Sequence, residues 1–156
     1  MQANQQWTRG EYTISTDPAR LEINVIHSFL TESYWAAGVP VEVVKESIEH
    51  SLPFGVYRGD RQIGFARVIT DYATFAYLAD VFVLDEFRGE GLGKWLIEVV
   101  VSHPGLSGLR RWMLATRDAH GLYGKSGFTE LKQPERWMER HAPRVYSNSD
   151  PISESL

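Results

Sequence analysis

The chain has 156 residues and contains no cysteine, and this absence excludes several kinds of chemistry. Without cysteine there can be no disulfide framework, no thiol nucleophile and no metal site built from thiolates. No apolar run reaches the roughly 18 to 20 residues that a membrane-spanning helix needs, and the first six residues lack the apolar core of a signal peptide. These absences predict a cytoplasmic protein with no membrane partner.

Positive charge is also limited, since the formal net charge is −4. Binding of nucleic acid needs a basic face, so we expect no nucleic-acid partner, whereas an acidic balance suits a cationic amine. The five histidines show no metal-ligand spacing such as H-E-x-x-H, and the serine hydrolase motif G-x-S-x-G does not occur. The sequence therefore predicts no metal site.

What is present is the composition of an ordinary globular protein, with 43% hydrophobic and 23% charged residues. A chain of this length fits one domain and can bury roughly 70% of its unfolded surface. We expect a single domain over residues 1–156 with its core at about 12–146. Residues 1–10 are predicted to be a loose polar leader, and a polar tail is predicted from about Ser147.

The first half of the chain has two stretches with helical spacing. The first is predicted over about 18–31, after Thr16 or Asp17 as the N-cap, and the second starts at Pro40. Between them lie Tyr34 and Trp35, which either line an acceptor pocket or plug the core between the helices.

The middle of the chain has the pattern of strands. Glu11–Ser15 is a candidate first strand, and 54–58 and 61–70 form a hairpin around the turn Gly59-Asp60. A strand over 75–84 continues this antiparallel meander. Further on, the spacing predicts a helix through Val101 with Trp95 in the core. A strand over 111–116 should follow and lie parallel to its predecessor. After it we expect a helix over 119–126 capped by Asp118, and a last hairpin from Phe128.

One stretch joins a strand, a glycine-rich turn and a helix, at residues 80–95. The first amides of a helix have no internal partner and lie at the positive end of its dipole, so they can bind a phosphate. Glycines allow that phosphate to come close. The P-loop and dinucleotide patterns both fail here, and what remains is R-x-x-G-x-G, formed by Arg88, Gly91 and Gly93.

This motif resembles the pyrophosphate turn of the GNAT superfamily of acetyl-CoA-dependent N-acetyltransferases. A second motif, Leu-Tyr-Gly-Lys-Ser-Gly-Phe over 122–128, is similar to the L-Y-x-K-x-G-F signature of that family. In the family its tyrosine, here Tyr123, protonates the departing coenzyme A thiolate. One departure is Thr116, which stands where many members have an asparagine that contacts the pantetheine arm, so that contact is left open.

The resemblance implies an α/β (α+β) fold with a mixed, mostly antiparallel sheet of six or seven strands and about four helices. It also implies acetyl-CoA as co-substrate, an amine on a small molecule or peptide as acceptor, and no metal. Dimers are common in the family, which leaves a homodimer open. The coenzyme contacts it implies are Val81, Phe82, Val83, Arg88, Gly89, Gly91, Leu92, Gly93 and Lys94.

Acetyl transfer to an amine needs a group that accepts the proton of the amine, because only on the order of one part in a thousand of an alkylamine is free base at neutral pH. Asp80 is the candidate base, since a carboxylate in an apolar strand is costly to bury unless it is paired or holds a proton. The alternative is a structural carboxylate paired with Arg67. Weaker substitutes for the base are Asp71, Glu86 and His120, or a chain of waters.

Tyr123 is the candidate general acid, and its alternative is a core tyrosine with a satisfied hydroxyl. The predicted function is therefore an N-acetyltransferase that acts by direct attack of the amine on acetyl-CoA. The rival prediction is a domain that binds acyl-CoA as a sensor without turnover.

Overall fold

The computed structural model of the chain describes residues 3–147. Six strands form one sheet in the order β1-β2-β3-β4-β5-β6. Within these residues there are also four α-helices and four short 3₁₀ turns, of which the last helix and the last turn follow the final strand. The strands are β1 Gln6–Arg9, β2 Tyr12–Ser15, β3 Leu52–Arg58, β4 Arg61–Thr70, β5 Phe75–Val83 and β6 Arg111–Met113, and the helices are α1 Ile23–Leu30, α2 Val41–Glu49, α3 Leu92–Val101 and α4 His120–Gly124.

The sheet is antiparallel except at its last pair. Each of β1 to β4 pairs antiparallel with the next, of which the pairings from β3 to β5 form the predicted meander, and β6 lies parallel to β5 as predicted. A parallel neighbour needs a crossover, and α3 provides it. The mixed, mostly antiparallel sheet and the four helices confirm the predicted fold.

The sheet is covered on both faces, which explains why β3 and β4 are buried along most of their length. On one face, α3 packs its apolar side against the strands, and Trp95 is buried in this core as predicted. On the other face, α1 and α2 pack against Phe65 and Phe82. A strand buried on both faces has apolar residues throughout rather than in alternation.

Three predicted elements are wrong. Gln6–Arg9 is a strand instead of a loose leader, because its backbone pairs with β2. The first helix is divided: a 3₁₀ turn at Pro18–Arg20, capped by Asp17, precedes α1. No last hairpin follows Phe128, since the only regular element described over 128–147 is the 3₁₀ turn Pro134–Arg136.

Several boundaries also differ from the prediction. Only Arg111–Met113 of the predicted parallel strand pairs with β5, and α4 is limited to His120–Gly124. Asp118 does not cap α4. The N-cap is Ala119, whose N–H donates to the Thr116 hydroxyl at 3.1 Å. Beyond Ser147, the predicted polar tail lies outside the described residues.

None of the helices within residues 3–147 has the length and apolar character needed to cross a membrane.

Candidate active site

The phosphate cradle predicted from the sequence has the backbone that such a site needs. Gly91 is the N-cap of α3 with φ +78°, and no side chain caps the helix there. Gly89 also has a positive φ of +88°. Both values lie in the left-handed region that favours glycine. The first amides of α3, at Leu92, Gly93 and Lys94, are therefore without a side-chain partner at the positive end of the helix dipole.

The two strands beside the cradle separate from each other. β6 pairs with β5 only at residues Phe75–Tyr77, while β5 continues to Val83 with β4 on its other side. Residues 78–83 of β5 thus have no strand partner toward β6 within the described part of the chain. Along residues 81–83 of this edge, the backbone groups that point away from β4 have no strand partner within residues 3–147, although the Val83 carbonyl accepts a hydrogen bond from Arg88 Nε.

A bulge in β5 lies at the mouth of this opening. Phe65 pairs with Phe82 and Arg67 pairs with Ala79, so two steps on β4 face three steps on β5. Asp80 falls in the extra segment with φ +57°, a left-handed conformation that aspartate tolerates better than most residues. Bulges of this kind change the direction of side chains and are frequent beside active sites.

The bulge brings Asp80 to two donors. Nε of Arg67 lies 2.8 Å from Oδ2 of Asp80, and Nε1 of Trp35 donates to Oδ1 at 3.0 Å. Arg67 also donates to the Ser51 hydroxyl at 3.0 Å. The ion pair that the sequence offered as the alternative role for Asp80 is therefore formed. These two hydrogen bonds keep the Asp80 carboxylate in place. A proton that binds to this carboxylate does so next to the Arg67 and Trp35 donors.

The weaker substitutes for the base have other contacts. The Asp71 carboxylate accepts hydrogen bonds from the backbone N–H groups of Thr74 and Ala73 and from the Thr74 hydroxyl, and these bonds hold its pKa well below the usual range. Such a group accepts protons poorly near neutral pH. Glu86 forms an exposed ion pair with Arg61 at 2.7 Å. His120 is the first residue of α4 and is exposed.

The second motif is carried to the cradle by packing between helices. A Cβ placed on Gly93 in α3 would lie 3.9 Å from Cδ2 of Leu122 in α4. Leu122 of α4 therefore lies at contact distance from the start of α3, and Tyr123 follows Leu122. The Tyr123 ring is partly buried and meets the Phe128 ring edge-on at 6.0 Å.

The hydroxyl of Tyr123 remains protonated at neutral pH. Burial raises the pKa of Tyr123 to about 12, with a smaller contribution from the neighbouring Tyr34. Protonation is the state that a hydrogen-bond donor to a leaving group requires.

Tyr34 and Trp35 do not plug the core, because they are 51% and 42% exposed. Their rings meet edge-on at 5.1 Å, and Trp35 leans on Phe29, which stacks on Phe82 of β5. The loop between α1 and α2 thus forms an aromatic wall beside the bulge.

Arg88 folds back on its own turn. Its Nε donates to the Val83 carbonyl at 3.2 Å, and its Nη1 lies 3.2 Å from Oδ1 of Asp85. An exposed pair of this kind contributes roughly 0 to 1 kcal/mol. A phosphate in the cradle can therefore replace Asp85 as the partner of Arg88.

Sequence reasoning missed two groups that support the cradle. Arg9 of β1 donates to the Gly91 carbonyl at 3.4 Å and lies over the Trp95 ring at 4.9 Å. The Tyr12 hydroxyl donates to Oε1 of Glu90 at 3.1 Å. These contacts span about 80 residues of sequence, and no local pattern indicates them.

Sequence reasoning also missed Arg117. Its guanidinium carbon lies 4.0 Å from the centre of the Tyr34 ring, and its backbone N–H donates to the Tyr34 hydroxyl oxygen at 3.1 Å. The only sequence signal is that Arg117 follows the predicted strand over 111–116 and lies five positions before the second motif begins at Leu122.

A cleft beside β6 and the acidic and histidine side chains add no further site. A cleft of about 860 Å³ lies beside β6 between Trp112, Phe128 and Trp137, and none of the predicted site residues lines it. No group of three or more histidine, aspartate or glutamate side chains within residues 3–147 could hold a metal ion.

A family model described as "Acetyltransferase (GNAT) domain" matches residues 49–130, which include β4, the bulge, the cradle and Tyr123. The chain belongs to the GNAT acetyltransferase family. Relatives agree with this assignment. A candidate acetyltransferase of Gibberella zeae is 36% identical over 143 residues, covering 78% of this chain and 81% of that protein.

Solved structures of GNAT proteins have the same fold. A candidate GNAT acetyltransferase of Xanthomonas campestris is 50% identical, has a TM-score of 0.86, and covers 90% of this chain and 99% of its own. A candidate acetyltransferase of Clostridium acetobutylicum, solved with acetyl-CoA, has a TM-score of 0.60 at 13% identity over 83% of this chain and 94% of that one. That second likeness is in the fold alone.

Proposed function

We propose that this GNAT protein transfers an acetyl group from acetyl-CoA to a primary amine by direct attack of the amine on the thioester. The observation that carries the proposal is the meeting of three features: a glycine N-cap on α3, the separation of β5 from β6, and Tyr123 on a helix that packs against the cradle. The cradle amides at Gly89, Gly91, Leu92, Gly93 and Lys94, together with Arg88, would hold the pyrophosphate. The open edge at Val81–Val83 would hold the pantetheine arm.

In the proposed reaction the amine nitrogen bonds to the carbonyl carbon of the thioester, and the carbon–sulfur bond then breaks. The proton lost by the amine passes to Asp80, directly or through water. A backbone N–H on the open edge of β5 is positioned to polarise the thioester carbonyl. Tyr34 and Trp35 form the wall along which the amine enters.

Tyr123 serves the departing sulfur. A phenol with a pKa of about 12 is a weaker acid than an alkyl thiol, whose pKa is about 8.5. Complete transfer of the proton from the Tyr123 hydroxyl to the thiolate is therefore unfavourable. Hydrogen-bond donation to the developing thiolate needs no complete transfer. We therefore propose that Tyr123 stabilises the thiolate as the bond breaks.

Release of free thiol from acetyl-CoA with a panel of primary amines tests the proposal. We expect amine-dependent thiol release that follows formation of the N-acetyl product by mass spectrometry. Protection of the protein by acetyl-CoA against heat, without thiol release on any amine, would favour the sensor instead.

A further inference from the structure

Arg117 presents a charged group at the acceptor wall that the proposed reaction does not use. The side chain is exposed and lies over the Tyr34 ring. Because the backbone N–H of Arg117 also donates to the Tyr34 hydroxyl oxygen, the loop after β6 and the loop between α1 and α2 are joined at this point. The guanidinium therefore has a defined position beside the wall.

The in-plane donors of this guanidinium have no protein carboxylate. Stacking on an aromatic ring occupies the face of a guanidinium and leaves its N–H groups free at the edge. Among residues 3–147, no carboxylate oxygen lies within 4.0 Å of Arg117. Arg67 and Arg88, which also border the site, hold Asp80 and Asp85.

Two aromatic side chains, Tyr34 and Trp35, connect Arg117 to Asp80, the proposed base. Tyr34 contacts Arg117 on one side and meets Trp35 on the other, and Trp35 donates to Asp80. Arg117 thus contacts one ring of the Tyr34–Trp35 pair and Asp80 contacts the other, and the two ring centres are 5.1 Å apart. A ligand that reaches both must have two polar ends with an apolar segment between them.

The charge of Arg117 determines which chemical group the ligand should have at the end that contacts this residue. The Asp80 carboxylate is already paired with Arg67, and a second ammonium group on the ligand would be repelled by Arg117. A carboxylate, in contrast, matches the planar fork of a guanidinium through two parallel hydrogen bonds.

Building on the transferase function proposed above, we infer that the acceptor is an ω-amino carboxylate, whose carboxylate binds Arg117 while its amine reaches Asp80. An amine directly beside the carboxylate cannot reach both residues, so the reactive amine is separated from the carboxylate by several methylene groups. A simple alkylamine lacks one of the two contacts, and a diamine has the wrong charge for it.

Binding of three matched compounds to the protein saturated with coenzyme A tests this inference. ε-Aminocaproate has the carboxylate, pentylamine lacks it, and cadaverine has an ammonium group in its place. By titration calorimetry we expect ε-aminocaproate to bind about tenfold to a hundredfold more tightly than pentylamine, as expected for a charged hydrogen-bonded pair. This preference should disappear in Arg117→Gln. It should persist in Arg110→Gln, a matched control at an exposed arginine just before β6.

Equal affinities for ε-aminocaproate and pentylamine in the wild-type protein would overturn the inference, and so would an unchanged preference in Arg117→Gln with normal coenzyme A binding. Turnover of the same compounds with acetyl-CoA separates this result from the transferase function. Transfer to pentylamine and cadaverine at the same kcat/KM as to ε-aminocaproate would overturn the inference and support the transferase. Arg117-dependent binding of ε-aminocaproate without any transfer would contradict the transferase and support the carboxylate site.

Discussion

Nε of Arg67 and Oδ2 of Asp80 lie 2.8 Å apart at the bulge of β5, and the two side chains are only 15% and 11% exposed. The pair joins β4 to the residue proposed as the base. Asp80 therefore has a structural contact in the free protein besides its proposed chemical role.

Arg67→Gln should destabilise the fold, because it leaves a largely buried carboxylate without its charge partner. We expect the free energy of unfolding to fall by about 2 to 4 kcal/mol. Urea denaturation at neutral pH measures this change. Arg61→Gln is the control, since its ion pair with Glu86 is exposed and screened by solvent and should therefore contribute much less to stability. Equal losses in the two variants would show that burial of the Arg67–Asp80 pair has no energetic consequence.

Tyr123→Phe should lower kcat by roughly a hundredfold and leave the affinity for acetyl-CoA nearly unchanged. The reason is that the variant removes a donor to the leaving sulfur and retains the packing of the ring against Phe128. Since burial raises the pKa of Tyr123 to about 12, its hydroxyl stays largely protonated up to about one pH unit below that value. The kcat of the wild-type enzyme should therefore show no loss below about pH 11 from ionisation of Tyr123. An unchanged kcat in the variant would exclude the role at the sulfur.

Gly91→Asp should weaken acetyl-CoA binding by roughly tenfold or more, because a negative charge close to the diphosphate costs at least about 1 kcal/mol. Gly91→Asn is the matched control. Asparagine has nearly the same shape and also tolerates the left-handed conformation at φ +78°. A Cβ here meets Nη2 of Arg9 at an ordinary contact distance of 3.5 Å, so both variants should fold. If the two variants bind acetyl-CoA equally, charge at this position is not close to the phosphates.

His103 should make the fold sensitive to mild acid. It is 1% exposed between Trp7 and Phe54, its Nδ1 accepts the Gly105 N–H, and its Nε2 has no hydrogen-bond partner among residues 3–147. Burial lowers the pKa of His103 from its ordinary value of 6.5. The folded protein therefore binds fewer protons than the unfolded chain as the pH falls below 6.5, and stability is lost in that range by at most about 1.4 kcal/mol per pH unit.

His103→Asn tests this titration, because an asparagine oxygen can accept the Gly105 N–H and does not titrate. Urea denaturation between pH 7.5 and pH 5 should show a smaller loss of stability in the variant than in the wild-type protein. Parallel curves for the two proteins would show that His103 takes up no proton on unfolding.

Sequence patterns correctly predicted those elements that are determined by residues close together in the chain. The hairpin around Gly59-Asp60 follows from a two-residue turn, and α3 follows from apolar spacing after a glycine N-cap. The failures occurred where distant pairing decides. β1 is a strand only because β2 pairs with it, and the segment after Phe128 forms no hairpin even though a strand follows α4 in the pattern we predicted.

The sequence by itself determined the family motifs, the cradle and Tyr123, because each depends on residue types at fixed spacing along a few turns of backbone. Only the tertiary structure decided what surrounds Asp80 and Tyr34. The Arg67–Asp80 pair, the Trp35–Asp80 bond and the Arg117–Tyr34 contact join residues 13, 45 and 83 positions apart. A bulge and two loop positions create these contacts, and neither composition nor periodicity encodes where separate loops meet in space.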